Sequence, residues 1–228
     1  LGTKVQKRIE PHNDSIKNIS KRARYLEKMF TFASLMADKH LYIISGPNGA
    51  GKTTASITLL PEVWQCREFV NADAIAVGLS PFNPESMAIE AGKLMLKRIN
   101  DLLNQGATFA IETTLATKSY VNLIRRAKKQ GYTVSLLYLW LESPETAICR
   151  VALRVSEGGH NIPDEVVVRR YHAGLKNLFQ LFLPIVDYWM LVDNTRIPRE
   201  IVAEGGGAEA DVIRNVELFH KIKGYVEQ

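Results

Sequence analysis

Apolar residues set the rhythm of this chain, and the rhythm changes near residue 41. Over residues 14–39, Ile16, Ile19, Ala23, Leu26, Phe30, Ala33 and Ala37 recur at alternating steps of three and four, the spacing of one helical face. Basic residues fill the opposite face. The pattern predicts one amphipathic helix whose stripe packs on the rest of the protein, pairs with a second copy or docks a partner.

From Leu41 onward short apolar runs alternate with helical patterns, the order that wraps helices around a parallel sheet. Strands are predicted at 41–45, 68–71, 107–112, 132–141 and 186–192. The run at 132–141 is almost wholly apolar, as a strand buried on both faces must be. Helices are predicted from the loop after strand one to residue 60, where Pro61 stops it, and at 117–130, 144–155, 164–183 and 211–222. A further long helix ends at Gly106 and should bury Met87, Ala88, Ala91, Leu94, Met95, Ile99 and Leu102. Residues 199–204 with Gly205, Gly206 and Gly207 suggest an edge hairpin. The glycine-rich stretch 156–163 reads as a mobile loop between helices, able to close as a lid.

Composition narrows this picture. With 228 residues and 46% hydrophobic content the chain can bury a full core, and the reading is a basic N-terminal segment, 1–40, followed by one domain, 41–228. Cys66 and Cys149 are too few for a disulfide framework and form no C-x-x-C pair. No apolar run approaches the roughly 18 residues of a membrane span, and no signal peptide pattern is visible. A cytoplasmic protein without a membrane partner is expected. The formal charge of +5 sits in residues 1–40, where nine Lys and Arg face four acids. That leaves 29 − 9 = 20 basic against 24 − 4 = 20 acidic residues elsewhere, so no strong basic field marks the main domain as a nucleic-acid binder.

Gly46-Pro47-Asn48-Gly49-Ala50-Gly51-Lys52-Thr53 carries the most chemistry. It has the spacing G-x-x-x-x-G-K-[ST] of a phosphate-binding loop, between an apolar strand and a helix. Its backbone N–H groups can ring the phosphates of a nucleotide, helped by the positive end of the helix. Lys52 would reach the β- and γ-phosphates, Thr53 would hold Mg²⁺, and Thr54 extends the nucleotide-binding run. The N-K-x-D run by which GTPases read guanine is missing, so ATP is the expected nucleotide.

A loop of this kind fits ATPases and kinases alike, so the acids and arginines around it must decide. Asp73, placed at the end of the second strand, would lie near the γ-phosphate, where a carboxylate can accept the proton of an acceptor hydroxyl. It would equally suit a helix cap. Glu112 and Thr113 close strand three on the same sheet edge. Glu112 could bind substrate hydroxyls, order a Mg²⁺-bound water or make a structural hydrogen bond. Arg150 and Arg154 share a helix face before the lid, and Arg169 and Arg170 follow it. Arginines flanking a lid can neutralise charge on the transferring phosphoryl group, with Arg154 and Arg170 the favoured pair. His160 in the lid would touch a phosphate or lie exposed.

The order of phosphate loop, Asn71-Ala72-Asp73, Ile111-Glu112-Thr113-Thr114, Arg150-x-x-x-Arg154, Gly158-Gly159-His160-x-Ile162-Pro163, Arg169-Arg170-Tyr171 and Val192-Asp193-Asn194-Thr195 resembles the chromosomal branch of the zeta-toxin family over residues 41–195. The resemblance implies a P-loop kinase of the nucleoside-kinase type, an α/β fold with a five-stranded parallel sheet flanked by helices. It implies MgATP as donor and the sugar hydroxyl of UDP-N-acetylglucosamine as acceptor. Asp73 is then the general base, Glu112 faces the sugar nucleotide, lid arginines clamp the phosphates and Asn194 lies near the adenine. Plasmid-borne members have an antitoxin that blocks the ATP pocket, which makes an antitoxin-like partner an expectation here. The loop 76–84 does not match the sugar-nucleotide contacts of those toxins. Two rival readings stay open: a kinase of another metabolite or of nucleic-acid ends, and an ATP-dependent protein-interaction module.

Overall fold

The computed structural model describes residues 39–206 and 210–226, so the helix expected over 14–39 and the last of the three glycines lie outside the described residues. Strand β1 (His40–Ser45) is buried along its whole length and pairs in parallel with β3 (Phe109–Thr113) on one side and β4 (Thr133–Trp140) on the other. Chain order and sheet order part company here. The described sheet runs β2-β3-β1-β4-β5-β6-β7, with β2 at Phe69–Val70, β5 at Tyr188–Asp193, β6 at Glu200–Gly205 and β7 at Val212–Ile213. The first five strands are parallel, as the sequence predicts. The expected edge hairpin is β6 and β7: β6 adds antiparallel to β5, β7 adds antiparallel to β6, and the sheet widens.

The chain adds β2 and β3 on one side of β1 and β4 and β5 on the other, so loops leaving the carboxyl ends of β1 and β3 splay apart and open a crevice. Register then sets what faces it. Ile44 pairs with Glu112 and Ser45 with Thr113, so the phosphate loop begins two residues beyond the strand position opposite Glu112. The core beneath is aromatic as well as aliphatic: Trp140, Tyr42, Tyr138, Tyr171 and Phe109 are fully buried, and Tyr42 stacks on Trp64 with centroids 4.6 Å apart.

Helix α1 (Lys52–Glu62) continues the phosphate loop and keeps Pro61 inside its last turn, so the proline marks the end without cutting the helix at residue 60. Helix α2 (Ala72–Leu79), a 3₁₀ turn (Pro84–Met87) and α3 (Ala88–Gln105) form a helical arm beside the crevice. Helix α3 buries Ala91, Met95, Ile99, Leu102 and Leu103, while Ala88 and Leu94, expected inside, are exposed. Gly106 ends it in the left-handed conformation at φ 67°. Helix α4 (Tyr120–Lys129) covers one face, and α5 (Pro144–Ser156) and α6 (Asp164–Asn177) bracket the lid. The expected helix to residue 183 is α6 followed by a π-helical turn, Leu178–Phe182. The final helix α7 is Val216–Gly224, shorter than expected because Val212 and Ile213 pair as β7.

Candidate active site

Asp73 does not end a strand. Strand β2 stops at Val70, Asn71 caps α2, and Asp73 stands in that helix's first turn. The Asn71 side chain accepts from the backbone N–H of Asp73 at 2.8 Å and of Ala74 at 3.3 Å. The capping role that Asp73 could have filled therefore belongs to Asn71, which leaves the Asp73 carboxylate free to face the crevice. Asparagine two residues before the acid, at the edge of an apolar helical run, was the local signal for this.

The crevice is a cleft of about 450 Å³. It is lined by Asn48 and Lys52 of the phosphate loop, Asn71 and Asp73 at the start of α2, Glu112 to Thr114 at the end of β3, and Arg169 and Arg170 of α6. Met95 and Tyr120 add an apolar flank, and the Tyr120 hydroxyl donates to Met95 Sδ at 3.6 Å. Asn48 comes with the phosphate-loop run, whereas Tyr120 does not stand out by spacing. Asn48 is buried with its Oδ1 unpartnered among the described residues, an open acceptor in the cleft lining.

Lys52 is buried and donates from Nζ to the Pro47 carbonyl at 2.9 Å, which holds its ammonium at the centre of the loop. Burial lowers its pKa below the ordinary lysine value, while the carboxylates of Glu112 and Asp73 oppose that shift and the Arg154 and Arg170 charges add to it. The two acids and two arginines are thus close enough to Lys52 to act on it. Glu112 is shifted upward by its own burial, opposed by the Lys52 charge and the Thr53 hydroxyl. Thr53 donates to Glu112 Oε1 and Oε2 at 3.1 and 3.0 Å.

The four arginines do not act together. Arg150 donates to the Thr195 carbonyl at 2.6 Å, away from the cleft, whereas Arg169 and Arg170 line it. Arg154 lies between the loop and the lid, donating to the His160 carbonyl at 3.0 Å. Asn194 is buried and donates from Nδ2 to the Ala50 carbonyl at 2.6 Å, so it braces the phosphate loop. Thr54 is exposed at the start of α1.

Helix α6 reaches the cleft because Gly174 has no side chain. A Cβ there would collide with the Thr114 carbonyl, and the close approach lets Asn177 donate to the Leu115 carbonyl at 2.8 Å. Arg170 and Ala173 are thereby brought into the lining of the cleft that holds Asp73.

The zeta-toxin family model matches residues 82–184, the stretch that supplies the 3₁₀ turn and α3 of the helical arm, Glu112 and the lid with its arginines. Residues 82–184 carry a zeta-toxin family domain. This kinase is 31% identical to an uncharacterized protein of Haemophilus influenzae over 126 residues, 55% of this chain and 88% of that protein. Its fold matches the crystal structure of the AvrRxo1-ORF1:AvrRxo1-ORF2 complex with sulphate ions at a TM-score of 0.68, with 21% identity over 92% of this chain and 73% of that one. It also matches a structure from the PezAT chromosomal toxin–antitoxin system of Streptococcus pneumoniae at a TM-score of 0.56, with 17% identity over 96% of this chain and 98% of that one. Family and cleft agree on an ATP-dependent phosphotransferase of the zeta-toxin type. No helix among the described residues is long and apolar enough to cross a membrane.

Proposed function

We propose that this kinase transfers the γ-phosphoryl group of MgATP to a hydroxyl of a small acceptor, with UDP-N-acetylglucosamine as the leading candidate. The observation that carries the reading is the meeting of Lys52, Asp73, Glu112 and Arg170 in one cleft. Donor and acceptor functions then divide naturally. The phosphate loop with Lys52 and Thr53 takes the triphosphate, with Arg154 and Arg170 as counter-charges for the group in transfer. Asp73, at the start of α2, accepts the acceptor's proton and aligns its oxygen for attack. Attack of that oxygen on the γ-phosphorus forms the new ester as the bond to the β-phosphate bridging oxygen breaks, releasing ADP.

The Thr53 hydroxyl and Glu112 carboxylate are hard oxygen donors in contact at the loop's mouth, a set that suits Mg²⁺ completed by phosphate oxygens and water. When bound there, the ion would neutralise phosphate charge and help orient the donor. Thr113 and Tyr120 offer a hydroxyl and an aromatic face to the acceptor. The cleft volume and its lining of threonines, asparagines and arginines suit a polar, anionic small molecule better than an apolar one. Asn194 and Thr195, behind the loop and next to Arg150, are the proposed base-side boundary of the nucleotide site. ATP is the ligand named for a second AvrRxo1-ORF1:-ORF2 structure, which this fold matches at a TM-score of 0.67.

We also propose an antitoxin-like protein partner, a reading supported by the family match and by the toxin–antitoxin system named for one structure of similar fold. Incubation with ATP, Mg²⁺ and UDP-N-acetylglucosamine should give a new phosphomonoester signal by phosphorus NMR. ATP consumption without that signal would reject this acceptor.

A further inference from the structure

The lid is folded around one side chain. Gly159 donates its N–H to the Arg154 carbonyl at 2.9 Å, and the Arg154 guanidinium donates to the His160 carbonyl at 3.0 Å, so Arg154 holds the loop at two successive residues. A Cβ on Gly159 would lie 2.7 Å from Arg154 Cγ and 2.9 Å from its carbonyl oxygen, so only glycine permits so close a fold. The two bonds set the direction in which the next residue leaves the loop. The His160 ring reaches Asp73, with Nε2 3.8 Å from Asp73 Oδ2. Its side chain is 17% exposed, against 52% for Asp73.

That contact joins the two halves of the cleft. His160 belongs to the lid between α5 and α6, Asp73 to the first turn of α2 on the helical arm. Asn71 secures the backbone of Asp73, yet among the described residues no hydrogen bond is made to the Asp73 carboxylate. A carboxylate that must take a proton from one oxygen of an acceptor gains from a donor on its other oxygen, which restricts rotation about the side chain.

We infer that His160 is a positioning residue for Asp73, its ring N–H holding Oδ2 when the lid settles so that Oδ1 faces the acceptor hydroxyl. The step rests on the reading of Asp73 as base. At 3.8 Å the pair is in contact but short of a hydrogen bond, and an approach of roughly 1 Å completes it. Lid closure over the triphosphate and readiness of the base become one event, so the kinase deprotonates an acceptor only when the donor side is covered.

The test compares His160→Ala, His160→Gln, Asp73→Asn and the His160→Ala/Asp73→Asn double variant in the full chain. Phosphotransfer is assayed with MgATP and UDP-N-acetylglucosamine, and nucleotide binding with a fluorescent ATP analogue. His160→Ala should lower kcat about tenfold or more with nucleotide Kd within twofold, His160→Gln should recover part of the loss, and the double variant should be no worse than Asp73→Asn. A large rise in nucleotide Kd would make His160 a phosphate ligand and overturn the inference, as would an unchanged kcat. An active Asp73→Asn enzyme would instead remove Asp73 as base. Hydrogen–deuterium exchange gives a readout that needs no acceptor: His160→Ala and Asp73→Asn should each speed exchange in both 157–163 and 72–79. Acceleration of the lid alone would refute the bridge.

Discussion

The hydroxyl of Thr53 and the carboxylate of Glu112 are in direct contact, 3.1 and 3.0 Å to the two oxygens, although 59 residues separate them. Parallel pairing of β1 with β3 brings them together, because Glu112 sits opposite Ile44, just before the loop that ends in Thr53. The contact ties the P-loop threonine to the strand-end acid at the place where triphosphate and metal are expected. Of the three roles that Glu112 could fill by sequence, the contact is itself one, a structural hydrogen bond, and the proposed function adds the metal side to it.

Thr53→Ala should therefore raise the Mg²⁺ concentration needed for half-maximal turnover by about tenfold or more. Glu112→Gln should do the same while leaving nucleotide binding in the absence of metal nearly unchanged. Mg²⁺ titrations at fixed ATP measure both. Equal Mg²⁺ requirements in wild type and Glu112→Gln would return Glu112 to the acceptor.

Lys52 gives a prediction with a sign. Its folded pKa lies below the unfolded value of 10.5, chiefly because burial disfavours the ammonium. Between the two values the unfolded state binds more protons, so stability rises with pH, and below the folded pKa the full penalty is present. Lys52→Met should abolish transfer yet raise Tm at pH 7, and its margin over wild type should shrink as pH climbs toward 10.5. Thermal melts across that range test this, and a lower Tm for Lys52→Met at pH 7 would contradict it.

Gly174→Ala should damage the fold and the cleft together. Its methyl group meets the Thr114 backbone carbonyl, which cannot rotate away as a side chain would. A cost of roughly 1–3 kcal/mol is expected, or several degrees of Tm. Gly159→Ala meets Arg154 in the lid and should reduce kcat with little change in Tm. Parallel melts and assays separate the two.

The cysteines should react unequally. Cys149 is exposed, whereas Cys66 is buried, donates to the Glu68 carbonyl at 3.4 Å and has its pKa pushed up to about 11. A limiting thiol reagent at pH 8 should label Cys149 alone, and denaturant should release the second site. Peptide mass analysis of the native protein reads the ratio directly.

Much of the donor half was legible in the chain because its determinants are local. The phosphate loop is eight consecutive residues between a buried strand and a helix, and glycine spacing with a terminal Lys-Thr states its geometry without help from distant contacts. Glu112 was legible for a related reason: a carboxylate closing an apolar strand has only the sheet edge to occupy. Asp73 was found but misplaced, since β2 shrinks to two residues at the sheet edge and Asn71 outcompetes the acid as cap. The arginines were found as a group and divided only by folding, Arg150 turning to Thr195 while Arg154 binds the lid.

The sequence by itself determined the nucleotide chemistry, the α/β alternation and the five parallel strands, all of which follow from patterns shorter than about 20 residues. Tertiary structure decided the pairs: Thr53 with Glu112, Asn194 with Ala50, Gly174 against Thr114, His160 with Asp73. Their members lie between 59 and 144 residues apart along the chain. Such pairs arise because the order of strands in the sheet differs from their order in sequence, and no local periodicity records which strand edges become neighbours.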